Sequence, residues 1–145
     1  MNGKKDWGLT VRGVVKKEGK TLILRRHPKS RTNPHKYELP GGKVDPGEFF
    51  DVALIREFKE ETNLDVNIES LFEVVQDEFI SRRTKQPIST VQLMMNLEIL
   101  SGEVQISDEH DDFKWVSNEE LKELYNEDML TPTLRKTLEK RDFEI

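Results

Sequence analysis

The sequence contains no cysteine, few aromatic residues and no long apolar run. The absence of cysteine excludes disulfide frameworks, zinc sites built from thiolates, and cysteine nucleophiles. No stretch approaches the roughly 20 apolar residues that a membrane-spanning helix needs. Residues Met1–Val15 hold no apolar segment long enough for a signal peptide. We therefore expect a cytoplasmic protein that does not bind a membrane.

The chain also lacks an excess of basic residues. It has 23 Lys and Arg residues against 28 Asp and Glu residues, which gives a net charge of −5 and a pI near 5.3. Nucleic-acid polymers are bound through basic surfaces, so this balance argues against such a partner. A small polyanion whose charge is bridged by metal ions stays compatible with it.

The length of 145 residues predicts a single domain that spans residues 1–145. Charged residues make up 35% of the chain, against about 25% in an average soluble protein. The sequence therefore predicts a thin core beneath a heavily charged surface.

Residue patterns along the chain predict the order of its secondary structure. Aliphatic and β-branched residues at Thr10–Val15 and Thr21–Leu24 flank Glu18–Lys20 and predict a hairpin. Leu39–Gly47 is rich in Gly and Pro and is expected to be irregular, whereas Phe49–Thr62 has neither and is predicted to be a helix. Three strands and then two helices are predicted downstream, at Val66–Ile80, Thr90–Leu100, Phe113–Val116, Ser117–Tyr125 and Thr131–Arg141. This order predicts an α/β fold with helices packed on a mixed sheet.

Three glutamates of the predicted helix share one face. At 100° per residue, Glu57, Glu60 and Glu61 fall within an arc of about 100°. Ile55 and Phe58 lie on another side, which can face the sheet. Like charges at these spacings repel one another, and a divalent cation such as Mg²⁺ or Mn²⁺ removes that conflict. A solvated acidic face is the alternative explanation of the same residues.

The segment around this helix resembles the Nudix box. Gly42 is followed after five residues by Glu48, and after seven more by the pair Arg56–Glu57. An apolar residue and one further residue then precede Glu60–Glu61, and the segment ends on the apolar Leu64. So many residue types at fixed spacings make this similarity specific.

The resemblance extends beyond the box, with one departure inside it. Glu38–Lys43, which leads into the box, is similar to the family's sequence, and a weaker similarity reaches Trp115–Val116. The family pattern has Gly where this chain has Asn63. Helices often end on a left-handed residue, and Asn is the next-best residue after Gly in that conformation. We therefore expect the departure to affect helix termination rather than catalysis.

The resemblance implies a role for each matching residue. Arg56 would orient the glutamates through charge-assisted hydrogen bonds, and Glu109, in a later acidic loop, would be a further ligand or a general base. The implied ligands of Mg²⁺, for which Mn²⁺ can substitute, are Gly42, Glu48, Glu57, Glu60, Glu61 and Glu109. The implied catalytic residues are Glu57, Glu61, Arg56 and Glu109, and Glu57, Glu61 or Glu109 would be the base. A surface ion pair at Arg56 and a solvated loop at Glu109 are the alternatives.

The resemblance also implies a fold and a reaction. The fold would be a Nudix α/β/α sandwich, with a mixed curved sheet flanked by helices. The similarity is greatest to the MutT-like branch, which implies cleavage of a nucleoside triphosphate to the monophosphate and pyrophosphate by metal-activated water. A hydrolase of ADP-ribose or a nucleotide sugar is the first alternative. A non-catalytic nucleotide-binding module is less favoured because the box glutamates are retained, and an isoprenyl diphosphate isomerase because cysteine is absent.

Substrate contacts are predicted outside the box. Arg25 and Arg26 end a predicted strand, and because neighbours on a strand point to opposite faces, only one of them faces the site; the resemblance favours Arg26. Tyr37 is the one large aromatic residue in the segments expected to surround the base, so we expect several nucleotides to be cleaved within roughly a hundredfold of one another. The basic turn Arg82–Lys85 is a polyphosphate contact or ordinary surface. A small nucleotide is the expected partner, and a monomer or homodimer the expected state.

Overall fold

The computed structural model describes residues 6–81 and 83–145, except for the side chains of Asp6 and Phe79. Met1–Lys5 and Arg82 lie outside the described residues, and with them part of the N-terminal segment and of the basic turn considered above. The described chain forms β1 (Asp6–Val14), β2 (Lys16–Lys17), β3 (Lys20–Arg26), β4 (Tyr37–Glu38), β5 (Gly41–Lys43), α1 (Phe50–Thr62), β6 (Asp65–Ile80), β7 (Pro87–Ser101), β8 (His110–Val116), α2 (Asn118–Asn126) and α3 (Pro132–Lys140). None of these three helices is long and apolar enough to cross a membrane.

The strands form two four-stranded sheets. In the first sheet the order is β5-β1-β7-β6, and β1 and β7 are parallel while the other pairs are antiparallel. In the second sheet β3 pairs with β2, β4 and β8. Helix α1 contacts β1, β5 and β6, and α3 contacts β4 and β6. The predicted mixed α/β fold, with curved sheets flanked by helices, is confirmed.

Alternation along the strands divides the core into two layers. Val11 and Met95 belong to the cluster that contains Phe58 of α1. Val14 and Met94 belong to a second cluster, which contains Leu134 of α3. Since neighbouring strand residues face opposite sides of a sheet, α1 and α3 cover opposite faces. This arrangement is the α/β/α sandwich.

The predicted hairpin between Thr10–Val15 and Thr21–Leu24 is wrong. Its turn is present, with positive φ at Glu18 and Gly19, but the turn joins β3 to the two-residue strand β2. Strand β1 pairs instead with β5 and β7, and the paired residues of β1 and β7 lie 82 positions apart in the chain. Turn residues act locally, whereas the partner of a strand is chosen by tertiary packing.

The segment Leu39–Gly47, predicted to be irregular, contains the short strand β5, and β4 lies directly before it. Strand β4 pairs with β3, and β5 adds to the edge of β1 with Gly42 opposite Val11. The prediction failed because glycine also permits a close approach of two backbones. A Cβ atom on Gly41 would lie 2.0 Å from the backbone oxygen of Val11. The pairing holds β5 beside α1, where the candidate site is formed.

Helix α1 agrees with the prediction except at Ile55. The helix begins at Phe50, one residue later than predicted, and Asn63 follows it in the left-handed conformation, with φ of 65°, as expected. Phe58 is fully buried as predicted, but Ile55 is 42% exposed. The buried arc of the helix runs through Leu54 and Phe58, and Ile55 lies just beyond its edge. The predicted inward position of Ile55 is therefore wrong.

Candidate active site

An open cleft of about 590 Å³ lies on the face of the first sheet that α3 covers in part. Strands β1, β5, β6 and β7 contribute to it, together with α1, the loop after β3 and the start of α3. The lining is mostly polar or charged, and it includes Thr10, Arg12, Arg26, Glu38, Gly42, Glu57, Glu61, Asp77, Thr90, Gln92, Glu109 and Thr133. The strand order places the box residues at the β5 edge of the cleft and Asp77 at the β6 edge.

Glu57, Glu61 and Glu109 gather at the β5 edge. Glu61 is only 5% exposed, and its carboxylate accepts a hydrogen bond of 3.0 Å from the backbone N–H of Gly41. One oxygen each of Glu61 and Glu109 and one ring nitrogen of His110 lie within 4.8 Å of one another. Helix α1 and the loop before β8 therefore bring together acids that are far apart in the sequence.

Gly42 makes room for the carboxylate of Glu57. A Cβ atom at this position would lie 2.5 Å from Cδ of Glu57. Because real Cβ atoms essentially never come that close to another heavy atom, any larger residue would displace the glutamate. The glycine that begins the box thus sets the position of an acid fifteen residues later.

The surroundings of Glu61 and Glu57 raise the pKa of both carboxyl groups. Burial, and then the negative charge of Glu38, raise the pKa of Glu61 to about 9. Burial and the charge of Glu60 raise the pKa of Glu57, against the opposing effect of Arg56. A divalent cation reverses such a preference, and Mg²⁺ and Mn²⁺ prefer oxygen ligands. The residues present at this end of the cleft therefore fit a divalent metal.

Arg56 joins three acids of the box. Its guanidinium donates hydrogen bonds to Glu48 at 2.9 Å, to Glu57 at 3.2 Å and to Glu60 at 3.3 Å, and hydrogen bonds to Glu48 and Glu60 raise its pKa. The side chain of Glu60 is 57% exposed. Of the six implied metal ligands, four line the described cleft, namely Gly42, Glu57, Glu61 and Glu109, while Glu48 and Glu60 lie outside its lining. Arg56 thus links Glu57 to two acids at the rim.

A buried charge cluster lies beneath the cleft. Glu38 forms hydrogen bonds with His110 at 2.9 Å and with Arg26 at 3.1 Å, and Arg12 lies 3.4 Å from its other oxygen. Burial alone would raise the pKa of Glu38, but Arg12, His110 and Arg26 lower it well below its usual range. Among the described side chains, Nδ1 of His110 is the one enclosed polar atom without a hydrogen-bond partner. The cluster ties β1 of the first sheet to β3, β4 and β8 of the second.

The structure separates the two arginines at the end of β3. Arg26 lines the cleft, and its guanidinium donates to the carbonyl of Thr32 and to the hydroxyl of Ser30, both at 2.8 Å. Arg25 instead pairs with Asp111 at 2.8 Å and is not among the described residues that line the cleft. Most donors of Arg26 therefore hold the loop after β3 in place at the mouth of the cleft.

The structure places Tyr37 in the core rather than in the cleft. Its side chain is 2% exposed, and it packs in the cluster on the α3 side of the sheets. Its hydroxyl donates a hydrogen bond of 2.6 Å to Asp112, and burial together with this bond raises its pKa. The substrate contact predicted for Tyr37 is corrected accordingly, because neither face of the buried ring is available to a base.

The floor of the cleft is a polar stripe that crosses the first sheet. The hydroxyls of Thr10 and Thr90 lie 3.2 Å apart, and Arg12 donates to the side-chain oxygen of Gln92 at 2.9 Å. At the β6 edge, Asp77 accepts a hydrogen bond of 2.9 Å from the first turn of α3. The polar floor, as these five residues are called below, is continuous with the acids of the β5 edge.

Sequence reasoning identified no residue of the polar floor. A signal is present, since Thr10 and Arg12 alternate with apolar residues, and Thr90 and Gln92 do the same. Alternation of this kind predicts that one face of each strand is polar. It does not show that the two polar faces lie side by side, which depends on the parallel pairing of β1 with β7.

Comparison with known proteins identifies the family. A family model of the NUDIX domain matches residues 7–140. The chain belongs to the Nudix family. The matched range contains the box and the polar floor alike, and the resemblance inferred from the box is confirmed.

The curated relatives in the Nudix family are named for different substrates. An ADP-ribose pyrophosphatase of Methanocaldococcus jannaschii is 32% identical over 104 residues, which cover 70% of this chain and 56% of the relative. An 8-oxo-dGTP diphosphatase of Escherichia coli is 33% identical over 70 residues, 48% of this chain and 54% of the relative. The chain thus spans about half the length of these two proteins. The nucleoside triphosphatase NudI of Escherichia coli is 28% identical over 113 residues, with 74% and 80% coverage.

Solved Nudix structures match nearly the whole chain. A MutT protein from Methanosarcina mazei superimposes with a TM-score of 0.80 and 29% identity, covering 97% of this chain and 96% of that protein. The solution structure of the ORF135 protein of Escherichia coli gives a TM-score of 0.70 and 25% identity, with 93% and 88% coverage. The Nudix fold therefore extends over essentially all of the described residues.

Proposed function

We propose that this Nudix chain hydrolyses a nucleoside diphosphate linked to another moiety, and that its main substrate is a nucleoside triphosphate, cut to the monophosphate and pyrophosphate. The observation that carries this proposal is the cleft, in which Glu57, Glu61 and Glu109 stand at one edge and the polar floor leads away from them. The names of the relatives support it, because ADP-ribose, nucleoside triphosphates and 8-oxo-dGTP share a nucleoside diphosphate.

The proposed metal is Mg²⁺, for which Mn²⁺ can substitute. Gly42, Glu57, Glu61 and Glu109 would hold it in the cleft, with Glu48 and Glu60 nearby through their bonds to Arg56. A bound divalent cation supplies positive charge to phosphate oxygens and lowers the pKa of a coordinated water. The clustered oxygen donors and the raised pKa of Glu61 are what support a cation at this place.

The chain's own side chains supply orientation and a proton acceptor. Arg56 orients Glu57 and the N–H of Gly41 orients Glu61, so both carboxylates keep a fixed direction. Glu109 is exposed, and its carboxylate accepts no hydrogen bond from the described residues. Of the three candidate bases, Glu109 therefore has the most freedom to take the proton of the attacking water.

A nucleotide screen tests the proposal. Purified protein is incubated with Mg²⁺ and each of the common ribo- and deoxyribonucleoside triphosphates, ADP-ribose and a nucleotide sugar, and the products are separated by anion exchange. We expect pyrophosphate from several triphosphates at rates within roughly a hundredfold of one another. A chelator should stop the reaction, and Mg²⁺ or Mn²⁺ should restore it.

The same screen distinguishes the alternatives. Preferred cleavage of ADP-ribose or of the nucleotide sugar would favour the first alternative. Nucleotide binding without cleavage would favour a non-catalytic binding module. Absence of both binding and cleavage would contradict the proposal.

Sedimentation velocity tests the separate prediction of a monomer or homodimer.

A further inference from the structure

Gln92 has a side-chain amide whose orientation is set by Arg12. The Nε–H group of Arg12 can only donate a hydrogen bond, and it lies 2.9 Å from Oε1 of Gln92. The same guanidinium also donates to the backbone oxygen of Leu39 at 2.8 Å, which holds it in place. The amide oxygen of Gln92 must therefore face Arg12, and its Nε2 amino group must face away.

The amino group of Gln92 opens into the cleft. The residue is 5% exposed and lines the cleft, and Nε2 donates to no group of the described residues. It is not an enclosed atom, because Nδ1 of His110 is the one enclosed polar side-chain atom that lacks a partner in the described chain. The nearly buried amino group of Gln92 is therefore accessible from the cleft.

The position of Gln92 suits the base of a nucleotide. Gln92 lies opposite Thr10, and Gly42 lies opposite the neighbouring Val11. Gln92 on β7 and Gly42 on β5 are therefore two strand spacings apart, which is about 10 Å across the sheet. This separation is comparable to the span from the phosphates of a nucleotide to its base, so a substrate with phosphates at the glutamates would bring its base over Gln92.

We infer that Gln92, held by Arg12, selects nucleotides whose base presents a carbonyl oxygen to the cleft, an inference that rests on the proposed function. A free glutamine pairs with adenine through its oxygen and its amino group together. Here the oxygen already accepts from Arg12, and the amino group is what remains for the base. Hypoxanthine and guanine offer an acceptor oxygen at position 6, where adenine offers an amino donor. When the amino group of Gln92 faces the amino group of adenine, both groups are donors and no hydrogen bond forms between them.

Inosine and adenosine nucleotides provide the test, because their bases differ in the oxygen or amino group at position 6 and the protonation of the adjacent ring nitrogen. We expect kcat/KM for ITP to exceed that for ATP by about tenfold, the effect of one hydrogen bond. The dissociation constants of IMP and AMP, measured by calorimetry, should differ in the same direction by about the same factor. The binding measurement needs no hydrolysis, so it tests Gln92 even if the proposed reaction fails.

Two variants of Gln92 and one control assign the preference to this side chain. Gln92→Glu keeps the size and the contact with Arg12 but turns an acceptor towards the base, and it should shift the ITP to ATP ratio towards ATP by about tenfold or more. Gln92→Met removes the donor without a new charge and should bring the ratio near one. Gln76→Glu is the matched control, because Gln76 is exposed on β6 and lies outside the cleft lining; its ratio should equal that of the wild type.

The outcomes separate the two proposals. Equal kcat/KM for ITP and ATP, or a ratio that both Gln92 variants leave unchanged, would overturn the inference while hydrolysis stands. If the wild-type protein hydrolyses neither triphosphate but still binds IMP more tightly than AMP, the proposed reaction is overturned and the inference is supported. Circular dichroism spectra and melting temperatures of the variants show whether each is folded. If Gln92→Glu does not fold, the ratio for Gln92→Met decides alone.

Discussion

The acids at the β5 edge of the cleft and the polar floor are built in different ways. Glu57 and Glu61 lie one turn apart on α1, so their relative position follows from helix geometry. The polar floor joins Thr10 and Arg12 of β1 to residues of β7 that lie 80 positions away in the chain. The difference teaches that the spacing of the acids on α1 is encoded locally, whereas the polar floor arises from the pairing of distant strands.

Glu38 connects the β5 edge of the cleft with the polar floor. Its charge contributes to the raised pKa of Glu61 at the β5 edge. On its other side it pairs with Arg12, which in turn fixes Gln92 on the polar floor. A change at Glu38 is therefore expected to affect both the β5 edge and the polar floor, whereas a change in either of these regions should stay local.

Glu38→Gln should give the largest effect on stability. The change leaves Arg12, Arg26 and His110 around a neutral group, and breaking a buried ion pair in this way costs about 3–5 kcal/mol. The pKa of Glu38 is lowered, so its contribution is present above its unfolded value of 4.5 and is lost as pH falls below that. Urea unfolding at pH 7 and at pH 3 should show the difference between variant and wild type shrinking at the lower pH.

Glu98→Gln is the control for that measurement. Glu98 is an exposed carboxylate on β7 outside the cleft lining, and its change should alter the free energy of unfolding by less than about 0.5 kcal/mol. A difference at Glu38 no larger than at Glu98 would contradict the connecting role of the buried cluster.

Glu61→Gln should abolish most of the hydrolysis while sparing the fold. The amide keeps the size of the side chain but removes an anionic ligand, and we expect the rate with Mg²⁺ to fall by about 10² or more. Initial rates with a saturating triphosphate provide the measurement, and Glu98→Gln should retain the wild-type rate. Near-normal turnover of Glu61→Gln would refute the assignment of the metal-binding edge.

Glu61→Gln should also change how stability depends on pH when a chelator is present. The pKa of Glu61 is about 9 in the fold and 4.5 in the unfolded chain, so the folded protein retains a proton that the unfolded chain has released. Stability therefore falls as pH rises across this interval, by at most about 1.4 kcal/mol per pH unit. The stability of the variant does not fall in this way. The melting temperature of the variant minus that of the wild type should therefore increase between pH 6 and pH 8. A constant difference would contradict the buried, proton-retaining Glu61.

Gly42→Ala should lower activity by about tenfold with little loss of stability. The added Cβ atom would displace the carboxylate of Glu57, and supporting groups of metal sites typically affect activity by about 10–100-fold. Gly8→Ala on the same sheet is the control, because its Cβ atom would meet nothing within 4 Å. Equal activity of the two variants would show that Glu57 tolerates a shifted position.

Tyr37→Phe should give the smallest effect. Loss of the hydrogen bond to Asp112 should reduce the free energy of unfolding by about 1 kcal/mol. The relative rates for different nucleotides should not change, since the ring is buried away from the cleft. A changed order of nucleotide preference would instead support the direct substrate contact that the sequence predicted.

Local sequence patterns were sufficient to predict the bounds of α1 and the grouping of its acids. A segment without Gly or Pro predicted α1 to within one residue, and the conformational preference of Asn63 predicted the left-handed end of the helix. The box spacing identified Gly42, Glu57 and Glu61, which lie together in the cleft. Periodicity was less reliable at the edge of the buried arc, where the position of the sheet decides whether Ile55 is covered.

Tertiary structure alone decided what surrounds those acids. The turn at Glu18 and Gly19 is local, yet it could not show that β1 and β3 enter different sheets. Nor could the sequence show that Tyr37 is buried or that Arg12 contacts Gln92, because both facts depend on which strands pair. Helix geometry relates residues within a few positions of one another, whereas strand pairing relates residues whose separation along the chain carries no local signal. For this reason the clustering of the acids on α1 could be inferred from the sequence, and the polar floor could not.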